Sequence, residues 1–175
     1  MGLTDENREN FLYFLSLLIS NIIYKFDLYP KSFYSKINYY QMFPVIFNHP
    51  IMSENMNKFQ DEIFHHVEDY EVINIKFTDS EQKNHNIFIE LPTLTHENIQ
   101  DKHYHKIFKE AMLELLKFNP MRKMTSWKLR LMRKQTTNTG NSIIQADDNI
   151  TITLKPIYSS DVENFHFQII FIESI

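Results

Sequence analysis

Cysteine is absent from this chain, and glycine nearly so: Gly2 and Gly140 are the two among 175 residues. Without cysteine there is no disulfide scaffold, no thiolate zinc site and no thiol nucleophile. Ordinary usage of roughly 7% would supply about a dozen glycines. Their scarcity excludes the Walker loop, the dinucleotide fingerprint and the nucleophile elbow, each of which needs glycine where the backbone turns sharply or meets a phosphate. Neither sign of charge dominates. Eighteen Lys and Arg against 22 Asp and Glu give a formal net charge of -4, so bulk electrostatics does not mark a nucleic-acid binder. Long apolar runs are missing too. The one membrane candidate, Phe11 to Ile23, is interrupted by Ser16, Ser20 and Asn21 and is too short to span. The acidic lead of Asp5, Glu6 and Glu9 is unlike a secretory signal. Asn149-Ile150-Thr151 fits a glycosylation triplet, but nothing else points to secretion, and the chain reads as intracellular, nuclear or cytosolic.

What is present is ordinary globular material: 43% apolar and 23% charged residues, in a length that suits one domain with one core. Thr4 is placed to cap a first helix running to about Phe26. Phe11, Leu15, Leu18 and Ile22 form one stripe, and Leu12, Ile19, Ile23 and Phe26 widen it, as in a helix packed centrally on a sheet. Tyr29-Pro30 is expected to stop that helix and to be structural. Ser53 is expected to cap a second helix, with Met56, Phe59, Ile63 and Val67 at helical spacing. Val72 to Phe77 and Ile87 to Leu91, around a polar turn from Asp79 to Asn86, read as a hairpin. Thr95 heads a third helix with Ile99, Ile107, Phe108, Ala111, Leu115 and Leu116 as its apolar positions, ending before Asn119-Pro120. Trp127, Leu129 and Leu131 alternate with Lys128, Arg130 and Arg133, a half-buried strand with one basic face. Gln135 to Asn149 reads as a mobile loop, and Ile150 to Leu154 and Phe165 to Phe171 as two more strands. Helices segregated from an antiparallel sheet make an α+β domain.

Eight histidines invite a metal reading that their spacing does not support. His65 and His66 are adjacent, His103 and His105 are two apart, and a helical chelate needs three or four. No metal and no catalytic constellation is expected; Asp61-Glu62 and Asp147-Asp148 read as solvated surface. The basic run Arg122, Lys123, Lys128, Arg130, Arg133 and Lys134 could meet phosphates or an acidic partner, and could equally protect a strand edge from aggregation.

A long apolar helix leading into Ile23-Tyr24, then Leu28-Tyr29-Pro30, Phe33, Tyr39-Tyr40, Pro44-Val45 and His49-Pro50, resembles the HORMA-domain family. Pro44-Val45 and His49-Pro50 are similar to the branch formed by the small accessory subunits of translesion DNA polymerase zeta. So are Leu154-Lys155-Pro156, Ser160-Asp161 and the strand holding Gln168. The resemblance covers nearly the whole chain. It implies a single HORMA domain over 1–175: a core of about 5–134 with three main helices on an antiparallel sheet, then a mobile loop and a C-terminal safety belt over about 135–175.

The function implied is that of a non-enzymatic adaptor with no cofactor. An extended peptide adds to a sheet edge, and the belt folds across it. By the same resemblance Ile143, Ile144 and Ala146 open the belt, with isoleucine where the branch has tryptophan, and Asn55 stands where the family has a tyrosine. Trp127 and Leu129 lie on the strand beneath the peptide, and Gln168 faces the scaffold partner. The partners implied are a proline-containing peptide of a polymerase catalytic subunit, a translesion scaffold polymerase and a second HORMA protomer, with no direct nucleic acid and no membrane. The site would be nuclear, with a cytoplasmic share. The alternatives are a spindle-checkpoint HORMA protein and a nucleic-acid module using the basic strand 122–134.

Overall fold

The first helix is apolar on more than one side because it has neighbours on more than one side. In the computed structural model, which describes residues 5–66, 69–91, 101–120, 122–133, 152–162 and 165–174, α1 spans Asp5–Lys25. Phe14, Leu15, Leu17, Leu18, Ile19 and Ile22 are fully buried, so solvent touches no face of its middle turns. A five-stranded sheet lies beneath it, α2 (Pro50–His66) and α3 (Asp101–Lys117) flank it, and a short hairpin of β1 (Tyr34–Lys36) and β2 (Val45–Phe47) covers it. The polar residues in the apolar run are cross-links to these neighbours. Asn21 donates through Nδ2 to the Val45 carbonyl at 3.0 Å and accepts the Val45 N–H on Oδ1 at 3.1 Å, pairing with β2 as a strand would. Ser16 Oγ accepts from Gln60 of α2 at 2.8 Å.

α1 ends at Lys25, before Tyr29-Pro30, because Asp27 takes the left-handed conformation (φ 52°) that closes the last turn. The scarcity of glycine shows here. Asp27, Tyr40, Gln41 and Gln82 hold positive φ in a chain whose described turns contain no glycine. Tyr40 and Gln41 are the central residues of a two-residue turn closed by Tyr39 and Met42, each accepting the other's N–H at 3.0 Å. Ser53 does not cap α2. The helix begins at Pro50, whose missing N–H costs nothing in the first turn, and the Ser53 N–H already bonds the His49 carbonyl at 2.9 Å.

The large sheet has the order β5-β3-β4-β7-β6, built from β3 (Tyr70–Asp79), β4 (Asn84–Glu90), β5 (Met124–Arg133), β6 (Ile152–Val162) and β7 (Phe165–Ser174). Every neighbouring pair is antiparallel, so the edge strands β5 and β6 run in the same direction. The chain therefore leaves the sheet at one edge after Arg133 and re-enters with Ile152 at the opposite edge, four strand spacings or about 19 Å across, and at the other end of the strands. Ile73, Ile75 and Phe77 of β3, Ile87 and Ile89 of β4, and Phe167, Ile169 and Phe171 of β7 face the helices. Phe14 joins three elements, meeting Phe108 of α3 at 5.8 Å and Phe167 of β7 at 5.5 Å between ring centroids. The C-terminal hairpin thus contributes to the same core as the helices. Tyr158 of β6 also donates to Glu110 of α3 at 2.9 Å, and burial pushes its phenol up to about 12. Pro156 sits at a bulge in the edge strand β6, where a missing N–H is tolerated. Thr95 and Ile99 lie outside the described residues, and Leu116 is 63% exposed instead of joining the core.

The hairpin turn is shorter than the sequence suggests, because Asp79 organises it. Its Oδ1 accepts the N–H groups of Glu81 and Lys83 at 2.8 and 2.9 Å, and His85 Nε2 donates to Oδ2 at 2.9 Å. Arg122, from the loop before β5, reaches Glu81 at 2.6 Å and Asp79 at 3.4 Å. The His85 hydrogen bond, followed by those backbone donors, holds the Asp79 carboxyl down to about 2. A depressed carboxyl contributes stability above its ordinary value of 3.8, and the contribution is lost as pH falls through about 2. Denaturant midpoints should therefore fall between about pH 4 and pH 2, and Asp79→Asn, already less stable at neutral pH, should flatten that fall.

Candidate functional site

β5 pairs with β3 on one side only, and among the described residues nothing pairs with its other side. Alternate N–H and C=O groups between Met124 and Arg133 therefore face outward, a template for one more strand. Trp127, Leu129 and Leu131 are half-buried on the helix side of β5, and Lys128 and Arg130 are exposed on the other.

The open edge runs beside α2, and two cavities lie along the seam. One, of about 300 Å³, is lined by Tyr29, Met52, Asn55, Met56 and the β5 segment Trp127 to Leu129. The next, of about 510 Å³, is lined by Asn55, Phe59, Glu62, Leu129, Leu131 and Arg133, among others. Asn55, exposed on α2, borders both. Met52, Met56 and Phe59 recur at helical spacing, which turns one sulfur-rich apolar face of α2 toward the strand. Polar contacts close both ends. At one, Trp127 Nε1 donates to Tyr29 Oη at 2.8 Å, and the Trp127 ring lies parallel to Phe47. At the other, Tyr70 Oη donates to Glu62, a bond that raises the Tyr70 phenol above its ordinary value, and Arg133 lies 5.7 Å from the centre of the Tyr70 ring. The arrangement offers main-chain pairing along the edge and an apolar trough for every second side chain. It holds no cluster of three His, Asp or Glu side chains among the described residues.

The structure places Trp127 and Leu129 on this edge. Ile143, Ile144 and Ala146 lie outside the described residues. Gln168 is half-buried on β7, opposite Glu90 of β4, three strands from β5 in sheet order. It alternates with the core residues Phe167 and Ile169, which puts it on the sheet face away from the helices. The proposed scaffold contact is thus separate from the edge. The α2 wall is not legible in the sequence, since Met52, Met56 and Phe59 carry the same periodicity whether they line a trough or fill a core. Tyr29, a turn residue by its sequence, is also a trough wall. The basic run divides: Arg122 is engaged by Glu81, and Lys134 lies outside the described residues.

No family model matches the sequence, and no curated protein matches it. Solved structures do match. A chain of a mitotic checkpoint complex aligns with TM-score 0.71 at 8% identity, over 96% of this chain and 98% of that one. Caenorhabditis elegans HTP-1 bound to HTP-3 motif-1 aligns with TM-score 0.67 at 7% identity, over 98% and 92% of the two chains. HTP-2 of the same organism, bound to a HIM-3 closure motif, aligns with TM-score 0.66 at 9% identity, again over 98% and 92%. At these identities the likeness is one of fold, and the fold is that of the HORMA domain.

Proposed function

We propose that this chain is a non-enzymatic HORMA-domain adaptor that holds a short extended peptide of a partner as an added strand on β5. The observation that carries the reading is the edge of β5, unpaired among the described residues, beside the α2 trough, with the C-terminal hairpin docked at the opposite edge. Backbone pairing supplies affinity whatever the sequence of the peptide, and the trough selects its alternate side chains. That two of the similar structures are described as bound to a motif supports the same reading. The finer proposal is that the peptide is a proline-containing segment of the catalytic subunit of polymerase zeta, bridged to a translesion scaffold polymerase through the face bearing Gln168. It rests on the resemblances at 44–50 and 154–168. A second HORMA protomer would be a further partner, and the work would be nuclear with a cytoplasmic share. A spindle-checkpoint role is the second reading, favoured by the likeness to a checkpoint-complex chain.

Selection of short peptides from a random displayed library against the immobilised chain tests the adaptor reading. Enrichment of sequences that bind in extended form is expected. Failure to enrich any peptide would remove the reading. Competition then separates the finer proposals: the polymerase segment should displace a selected peptide, whereas displacement by a checkpoint peptide alone would favour the second reading. Ile143 and Ile144 are proposed to press on the bound peptide. Their joint change to serine should raise the dissociation rate and weaken binding at least tenfold, about 1.4 kcal/mol, measured by kinetics on immobilised peptide. An unchanged dissociation rate would remove them from the grip.

A further inference from the structure

Lys76 of β3 and Lys128 of β5 stand directly opposite one another, and Arg130, opposite Asn74, follows two residues along the same face. Side chains alternate between faces along a strand, so these cations share the outer face while Trp127, Leu129 and Leu131 share the inner one. Lys128 and Arg130 are exposed and Lys76 half-buried. Among the described residues none of the three is ion-paired; the described Glu and Asp partners go to Lys58, Lys83, Lys117, Arg122 and two histidines. Glu90 of β4 lies further in and further along, opposite Val72, whose own β5 neighbour is Met132. Like charges directly opposite in a sheet disfavour the folded state. One edge lysine would be enough to discourage chance pairing with other edges. A second cation on the inner neighbour does not serve that end and makes the edge less stable when empty.

Resting on the reading of β5 as a peptide edge, we infer that the edge selects a peptide in which apolar and acidic residues alternate. The acidic side chains meet Lys128 and Arg130. A strand added to β5 sets one residue opposite each β5 residue, with its side chain on the same face. Residues opposite Trp127, Leu129 and Leu131 enter the α2 trough. The two between them, spaced i and i+2, lie beside Lys128 and Arg130 on the outer face. Asp or Glu there supplies the anionic partners that Lys128 and Arg130 lack among the described residues and offsets the opposition of Lys128 to Lys76. The pattern apolar-acidic-apolar-acidic-apolar reads the same in both directions, so it holds for parallel or antiparallel addition. The part of the basic run that Arg122 leaves free thereby acquires a role, and the ligand it meets is a carboxylate on a peptide.

Three labelled synthetic peptides test this. All carry valine at the three trough positions and a flanking proline, and they differ only in having Glu, Gln or Lys at the two intervening positions. Titrated against the full chain by fluorescence anisotropy, they should bind in the order Glu, Gln, Lys. The outer pair should differ at least tenfold at low salt and much less at high salt. In the Lys128→Gln/Arg130→Gln variant the ratio between Glu and Lys peptides should collapse toward one. Lys128→Gln alone should raise the melting temperature of the peptide-free protein, which a purely structural lysine would not do. Wild-type affinities for the Glu and Lys peptides within twofold of each other would overturn the inference while leaving the edge reading intact. So would a preference that survives neutralisation of both cations. If none of the three peptides binds, the edge reading itself fails and this inference falls with it.

Discussion

Asn21→Ala should be the most destabilising single change at a polar residue described here, lowering stability by about 3 kcal/mol. The substitution orphans two main-chain groups at once. The Val45 N–H and carbonyl are buried between α1 and β2, and their partners are the two ends of the Asn21 amide. Each buried group left without a partner costs roughly 1–3 kcal/mol. For a chain of this size, 1 kcal/mol shifts the melting temperature by about 2–4 °C, so a loss on the order of 10 °C is expected. Asn21→Asp keeps an acceptor for the Val45 N–H but loses the donor to its carbonyl and adds a buried charge, so it should not restore stability. Thermal melts of the two variants check this. A melting temperature for Asn21→Ala within about 2 °C of the parent would mean that β2 is held by its apolar contacts alone.

The second large effect is on binding, with stability untouched. Asn55 is exposed on α2 and borders both cavities of the trough, so a tryptophan at 55 can fill the seam without displacing any core side chain. Asn55→Trp should weaken a library-selected peptide at least a hundredfold, about 2.7 kcal/mol, while the melting temperature stays near that of the parent. Asn55→Ala, which leaves the seam open, should bind within a few-fold. Retained binding by Asn55→Trp would place the peptide somewhere other than between α2 and β5.

The elements that could be read from sequence are those whose period is set by a single neighbour. β5 shows this: Trp127, Leu129 and Leu131 alternate with charges because one face meets helices and the other meets solvent. The expected helix–hairpin–helix–strand order matches, as does the α+β class. What could not be read lies where one local pattern serves two contexts. Met52, Met56 and Phe59 would look the same on a helix packed against a core and on one bordering a trough. Ser53 has the chemistry of a cap, but the proline three residues earlier starts the helix first. Leu116 extends an apolar stripe past the point where anything covers it. In a chain with few glycines, the left-handed turns at Asp27, Gln41 and Gln82 carry no compositional signal. The order of strands was invisible for a different reason. That β5 and β6 occupy opposite edges depends on pairings between residues far apart in sequence, and it is this order that leaves the β5 edge unpaired among the described residues.

Backbone amide exchange along β5, measured by NMR with and without a library-selected peptide, tests the central claim most directly. A strand added to a free edge bonds only the N–H groups that face outward, and those occur at every second residue. Protection gained at alternate amides between Thr125 and Met132, with none gained along β6, is the result expected. Protection gained along β6 or on α3, with the β5 amides exchanging as before, would contradict the account.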